Sequence, residues 1–147
     1  MSDKRANRKD RPDTDRTGRS PLHYAALAGD AAAIRQLLAS GLMVDAADEN
    51  GWTPLHFAAQ RNAPEATDLL LKGGASVEAR DSHGNTPLFT AVFNSRGYGE
   101  VVKLLRARGA DPYAKNKHGV SPLSLARTIG NFDVRQFFQD LPDESDG

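Results

Sequence analysis

One short unit recurs along this chain and constrains it more than anything else. It reads SPLHYA at 20–25, TPLHFA at 53–58, TPLFTA at 86–91 and SPLSLA at 121–126. Its prolines, Pro21, Pro54, Pro87 and Pro122, are 33, 33 and 35 residues apart. A fixed period of this length means one supersecondary unit repeated, so the unit must be read before any local feature.

Each copy makes local physical sense. Ser20, Thr53, Thr86 and Ser121 carry hydroxyls that accept from the free N–H groups of a helix's first turn. The proline that follows sits at the first helical position, where a missing N–H costs nothing. Small residues then line a short helix at Ala25/Ala26, Ala58/Ala59 and Ala91, which lets neighbouring backbones approach closely. A second helix follows in "AAAIRQLLAS", "PEATDLLLKG" and "GEVVKLLRAR" and carries the larger apolar groups, among them Ile34, Leu37, Leu38 and Leu69–Leu71. Gly41, Gly74 and Gly109 are placed to end it in a left-handed conformation. The links "DENG", "DSHG" and "NKHG" lead to the next cap, each with a glycine suited to a tight turn. No unit buries its apolar face alone, so stacking must create one continuous core. The expected fold is all-α: a solenoid of four helix–turn–helix repeats joined by β-turn or hairpin-like fingers.

TPLHFA, its near-copy SPLHYA and the "GAD" at 109–111 resemble the ankyrin repeat family over roughly residues 15–140. The expected layout is a charged, disordered tail at 1–14, a repeat domain at 15–141 (repeats about 15–47, 48–80, 81–115 and 116–141) and an acidic tail at 142–147. Phe89 and Ser124 stand where the first two repeats have His23 and His56. The fourth repeat ends in "VRQFFQDLP", with Phe137 and Phe138 in place of the leucine pair and Pro142 as a stop. It reads as a C-terminal cap with Arg135, Gln136 and Gln139 on its polar outer face. At the other end, Tyr24 and Leu27 form a face that the charged tail covers poorly.

Composition narrows the function. The chain has 147 residues, about one domain, no cysteine and a net charge of zero. A disulfide framework and a thiolate metal site are therefore excluded, and a reducing cytosol is expected. The N-terminal "MSDKRANRKDRPDTD" has no apolar h-region, and no apolar run is long enough to span a membrane. Charge is uneven: residues 1–29 carry net +3, 30–78 net −4, 79–117 net +4 and 118–147 net −3. That is either ordinary surface charge or a bipolar partner surface. "KRANRKDR" is basic but lacks interleaved aromatics, so no nucleic-acid partner is expected.

Catalytic signals are missing too. The sequence has no G-x-S-x-G elbow, no G-x-x-x-x-G-K-[ST] loop and no H-E-x-x-H. "GYGEVV" does not follow a strand and lacks the third glycine of a dinucleotide loop. His23 and His56 lie one repeat apart. The resemblance implies that they bond the preceding motif's Ser or Thr and nearby backbone, not a metal. No enzyme, cofactor, metal or small-molecule substrate is expected.

The resemblance implies binding through fingertips and inner-helix faces. Carried over residue by residue, the fingertip candidates are Arg16, Thr17 and Arg19; Glu49, Asn50 and Trp52; Ser82, His83 and Asn85; and Lys117, His118 and Val120. The inner-helix candidates are Gln60 and Arg61, Phe93 and Asn94, and Thr128. Trp52 is either a contact hot spot or a residue packed on a neighbouring finger. Phe93 is either an anchor or a residue covered by the long loop after it. That loop, "NSRGYG" at 94–99, lengthens one inter-helix turn by two residues. It is either a tolerated lengthening or a protruding contact made by Arg96 and Tyr98 between flexible Gly97 and Gly99.

The third and fourth repeats are also similar to small bacterial ankyrin proteins of polymorphic toxin systems, some of which are immunity proteins. That likeness implies a cytosolic protein that neutralises a partner toxin, with Asp48, Glu49 and Asp81 facing a basic substrate cleft. The alternative is a general adaptor or regulatory protein recognising an unrelated protein or peptide. A monomer is expected in the free state.

Overall fold

The computed structural model describes residues 14–129 and 134–142. The expected disorder of the N-terminal tail and the acidic tail after Pro142 lie outside them. Seven helices appear among the described residues: α1 (Pro21–Ala28), α2 (Ala31–Ala39), α3 (Pro54–Arg61), α4 (Pro64–Lys72), α5 (Pro87–Phe93), α6 (Glu100–Ala107) and α7 (Pro122–Thr128). A 3₁₀ helix, Val134–Phe138, is the last element among the described residues. No strand occurs among the described residues. None of the helices is long and apolar enough to cross a membrane.

The four predicted caps set the inner helices. The hydroxyls of Ser20, Thr53, Thr86 and Ser121 each accept a backbone N–H of the first turn, and a proline occupies the first helical position every time. The predicted glycines end the outer helices. Gly41, Gly74 and Gly109 take φ of 91°, 97° and 89°, and their N–H groups return to Leu38, Leu71 and Arg106. The following residues return to Leu37, Leu70 and Leu105, which completes the double C-terminal closure at each.

Stacking makes two rows. In the inner row α1 packs on α3, α3 on α5 and α5 on α7; in the outer row α2 packs on α4 and α4 on α6. Alanines mark the inner seam: Ala26, Ala58, Ala59 and Ala126 are fully buried. Ile34, Leu70 and Leu105 fill the outer seam. Leu37 and Leu38 are only half-buried, because α2 has an outer-row neighbour on one side alone.

The fourth repeat departs from expectation in one respect. Among the described residues its second element is a short 3₁₀ helix, Val134–Phe138, where the other repeats have an α-helix. Phe138 is buried in the core, Phe137 is half-buried, and Arg135, Gln136 and Gln139 face outward as a cap requires. Arg106 of α6 clamps the turn: its guanidinium donates to both carboxylate oxygens of Asp140, at 2.8 and 2.9 Å, and to the Phe137 carbonyl at 3.0 Å.

Candidate functional site

The fingers are built by one device used four times. The N–H of Asp15, Asp48, Asp81 and Asn116 donates to the carbonyl four residues on, at 2.9–3.0 Å. The side-chain oxygen of the same residue accepts two further N–H groups inside the turn, those of Asn50 and Trp52 at Asp48 and those of His83 and Asn85 at Asp81. Gly51, at φ 80°, shows why glycine follows: a Cβ there would lie 2.9 Å from the Cα of Asp81 on the next finger. A backbone hydrogen bond joins each finger to the next: Glu49 N–H to Thr17, Ser82 N–H to Asn50 and Lys117 N–H to His83, at 2.8–3.0 Å.

This arrangement corrects the expected role of the acids. Asp48 and Asp81 are buried, and Asp48 also accepts from Arg19 Nε at 3.1 Å. Their carboxylates serve the turns and do not project toward a basic cleft; Glu49 alone of the three is exposed. Arg19 is likewise held: it pairs with Asp48, which raises its pKa, and it lies over the Phe57 ring, 5.0 Å from the centroid.

The histidines tie helix to finger. His23 Nδ1 accepts the Ser20 N–H at 2.9 Å, and its Nε2 lies 3.0 Å from the Trp52 carbonyl. His56 does the same with Thr53 N–H, at 3.1 Å, and the Asn85 carbonyl, at 3.0 Å. Each therefore bonds its own repeat's cap and the next repeat's finger, not the preceding motif. A backbone N–H aimed at Nδ1 fixes the proton on Nε2, which makes both rings neutral. Burial pushes both pKa values down. With both ring nitrogens engaged, neither histidine is placed to bind a metal. No group of three or more His, Cys, Asp or Glu that could hold one occurs among the described residues.

Between fingers and inner helices runs a groove of about 810 Å³. It gathers Arg19, Asn50, Trp52, Gln60, His83, Asn85, Phe93 and Asn94 of the expected residues, with Ser82. Phe57 and Phe89 give it an apolar floor, beside the buried hydroxyl of Thr90, that sequence reasoning missed. Phe89 was legible as the residue replacing a repeat histidine, but not as groove lining. Trp52 is half-buried, its ring 4.9 Å from that of Phe57 and 5.4 Å from His56. It thus packs on its neighbours and still lines the groove. Phe93 is 66% exposed, so the long loop does not cover it.

A second, polar recess of about 600 Å³ adjoins this groove, sharing Gln60 and Asn94, and is lined by Arg61, Asn62, Arg96, Tyr98 and Glu100. The loop forming it is anchored. Ser95 is buried, and its carbonyl accepts from Tyr98 N–H at 2.8 Å and Asn62 Nδ2 at 3.3 Å. Gly99 is not a flexible hinge: it is buried, with φ −100°, and a Cβ there would meet the Phe137 ring at 2.2 Å. The loop is thus the seat of the C-terminal cap, while Arg96 and Tyr98 remain exposed.

Some expected residues lie elsewhere. Lys117 and His118 are exposed on the fourth finger, and Arg16 and Glu49 are exposed on the first two; none of the four lines the groove or the recess. At the N-terminal end Tyr24 is 45% exposed but is tied by its hydroxyl to Asp15, whose pKa falls far below the carboxylate range, chiefly through that bond.

The family model for ankyrin repeats (3 copies) matches residues 3–81 and again residues 44–116. A comparison with curated proteins finds no match.

Proposed function

Since the chain belongs to the ankyrin repeat family, whose repeats mediate protein–protein interaction, we propose that it is a non-catalytic binding module of the cytoplasm. It acts as a monomer and holds a protein segment in the groove between fingers and inner helices. The observation that carries this reading is Phe93, 66% exposed on an inner helix beside half-buried Trp52 in the same groove. Exposed aromatic groups over a rigid floor are what an interface hot spot needs.

A general adaptor fits this groove better than a toxin inhibitor acting as a phosphate mimic. That second role relied on three exposed acids, and Asp48 and Asp81 are buried in their own turns. The likeness of the third and fourth repeats to immunity proteins still makes a cytosolic toxin a partner to include. The test is a pulldown from native cytosol with wild type and Phe93→Ala, paired with co-expression against an adjacent toxin gene. A protein retained by wild type and lost with Phe93→Ala supports the groove. Partners held equally by both place the interface elsewhere, and rescue from a toxin would restore the immunity role.

A further inference from the structure

Arg61 and Arg96 come from separate repeats and line the same recess, both exposed. Neither makes an ion pair or hydrogen bond among the described residues, although Arg19, Arg35 and Arg106 all find a carboxylate. Arg96 also stands in an unfavourable conformation. Asn62 (φ 59°) and Arg96 (φ 51°) are the non-glycine residues with positive φ among those described, and both line this recess. Asparagine takes that conformation readily; arginine does so at a cost. The two-residue lengthening therefore presents a guanidinium where glycine would be the easier choice.

Resting on the groove being the partner surface, we propose that the recess is a carboxylate subsite. Arg61 and Arg96 receive an acidic side chain of a protein segment, and a neighbouring apolar side chain of that segment lies against Phe93 and Phe89. Guanidinium forks match a carboxylate in charge and in planar geometry. Gln60 and Asn94, common to groove and recess, join the apolar and cationic halves with amides suited to a peptide backbone. In the recess Arg61 and Arg96 outweigh Glu100 by one positive charge, whereas in the groove Asp48 and Asp81 outweigh Arg19 by one negative charge. That distribution suits one carboxylate in the recess and opposes the repeating charge of a nucleic acid along the groove.

The test is selection of a phage-displayed library of random short peptides on the full chain, then affinity measurement with the enriched peptides made synthetically. Expected is enrichment of Asp or Glu close to Leu, Phe or Trp. Arg61→Glu and Arg96→Glu each weaken such peptides at least about tenfold. Arg96→Gly weakens them similarly while relaxing the backbone, so that loss is not one of folding; Arg96→Lys falls between. Peptides without acidic enrichment, or acidic peptides indifferent to Arg96→Gly, overturn the subsite. So does a labelled polythymidine oligonucleotide that binds more tightly than the best peptide. Apolar peptides lost with Phe93→Ala but indifferent to both arginines overturn the subsite and leave the groove standing. Failure to enrich any peptide overturns both.

Discussion

The Nε2 of His23 lies 3.0 Å from the carbonyl oxygen of Trp52, so the first repeat's helix holds the second repeat's finger. His56 repeats the bond to Asn85. Both rings are buried and neutral, with pKa values lowered by burial. In the unfolded chain they titrate at about 6.5. Above that pH neither state binds the extra proton, and the full stability is present. Below it the unfolded chain binds protons that the folded rings refuse, so stability falls until the folded pKa values are reached. Denaturant unfolding at pH 7.5 and 5.5 should show a loss no steeper than about 1.4 kcal/mol per pH unit for each histidine. Equal stability at the two values would show that the rings do not resist protonation.

Asp48 should tolerate asparagine far better than alanine. Its side chain accepts from Asn50 N–H, Trp52 N–H and Arg19, and Asn116 performs the same turn closure in the fourth finger without a charge. Asp48→Ala leaves those donors unsatisfied and should cost about 3 kcal/mol or more. Asp48→Asn loses only the ion pair and should cost about half that or less. Similar melting temperatures for the two variants would contradict the turn-closing role.

Gly99→Ala should act through one ring. The added methyl overlaps Phe137, which must leave its seat and its place beneath Lys103, 5.5 Å from the ring centroid. The expected cost is about 1–3 kcal/mol. Phe137→Ala alone removes the same contact, so the double variant should be little worse than Phe137→Ala. A double-mutant cycle in which the two costs simply add would disprove the contact.

Trp52 and Phe93 should separate stability from binding. Trp52 packs on Phe57 and His56, so Trp52→Ala should lower stability by about 2 kcal/mol as well as weaken a groove partner. Phe93→Ala should weaken the partner and leave the melting temperature within about one degree, since exposed positions contribute little to folding. The opposite pattern would place Phe93 in the fold and outside the interface.

What the sequence made legible was whatever repeats. Caps, first-position prolines and closing glycines act through the backbone beside them, so their chemistry can be read locally. Asp48 and Asp81 were misread because a charged side chain near a turn suggests exposure. The better signal was present: Asp15, Asp48, Asp81 and Asn116 all stand three residues before a glycine, and the last is uncharged. A position that accepts asparagine as well as aspartate asks for a hydrogen-bond acceptor, not a charge. Gly99 and Phe137 could not be linked from sequence, because nothing periodic joins a turn in the third repeat to the end of the fourth. The same holds for the groove floor, to which Phe57 and Phe89 both contribute only once the repeats stack.

The histidine bond also bears on how the chain would respond to tension. His23 and His56 fasten the first three repeats in series, but Phe89 offers no such bond at the third junction. There the fingers are held by Lys117 N–H to the His83 carbonyl, by Arg80, which reaches the Lys115 carbonyl at 2.8 Å, and by Asn116 to Asn85, also at 2.8 Å. These links lie at the finger ends and leave the inner helices joined by packing alone. Under tension the third junction would therefore load the finger bonds on one side and the Arg106–Asp140 pair on the other, where the first two junctions load a buried helix-to-finger bond.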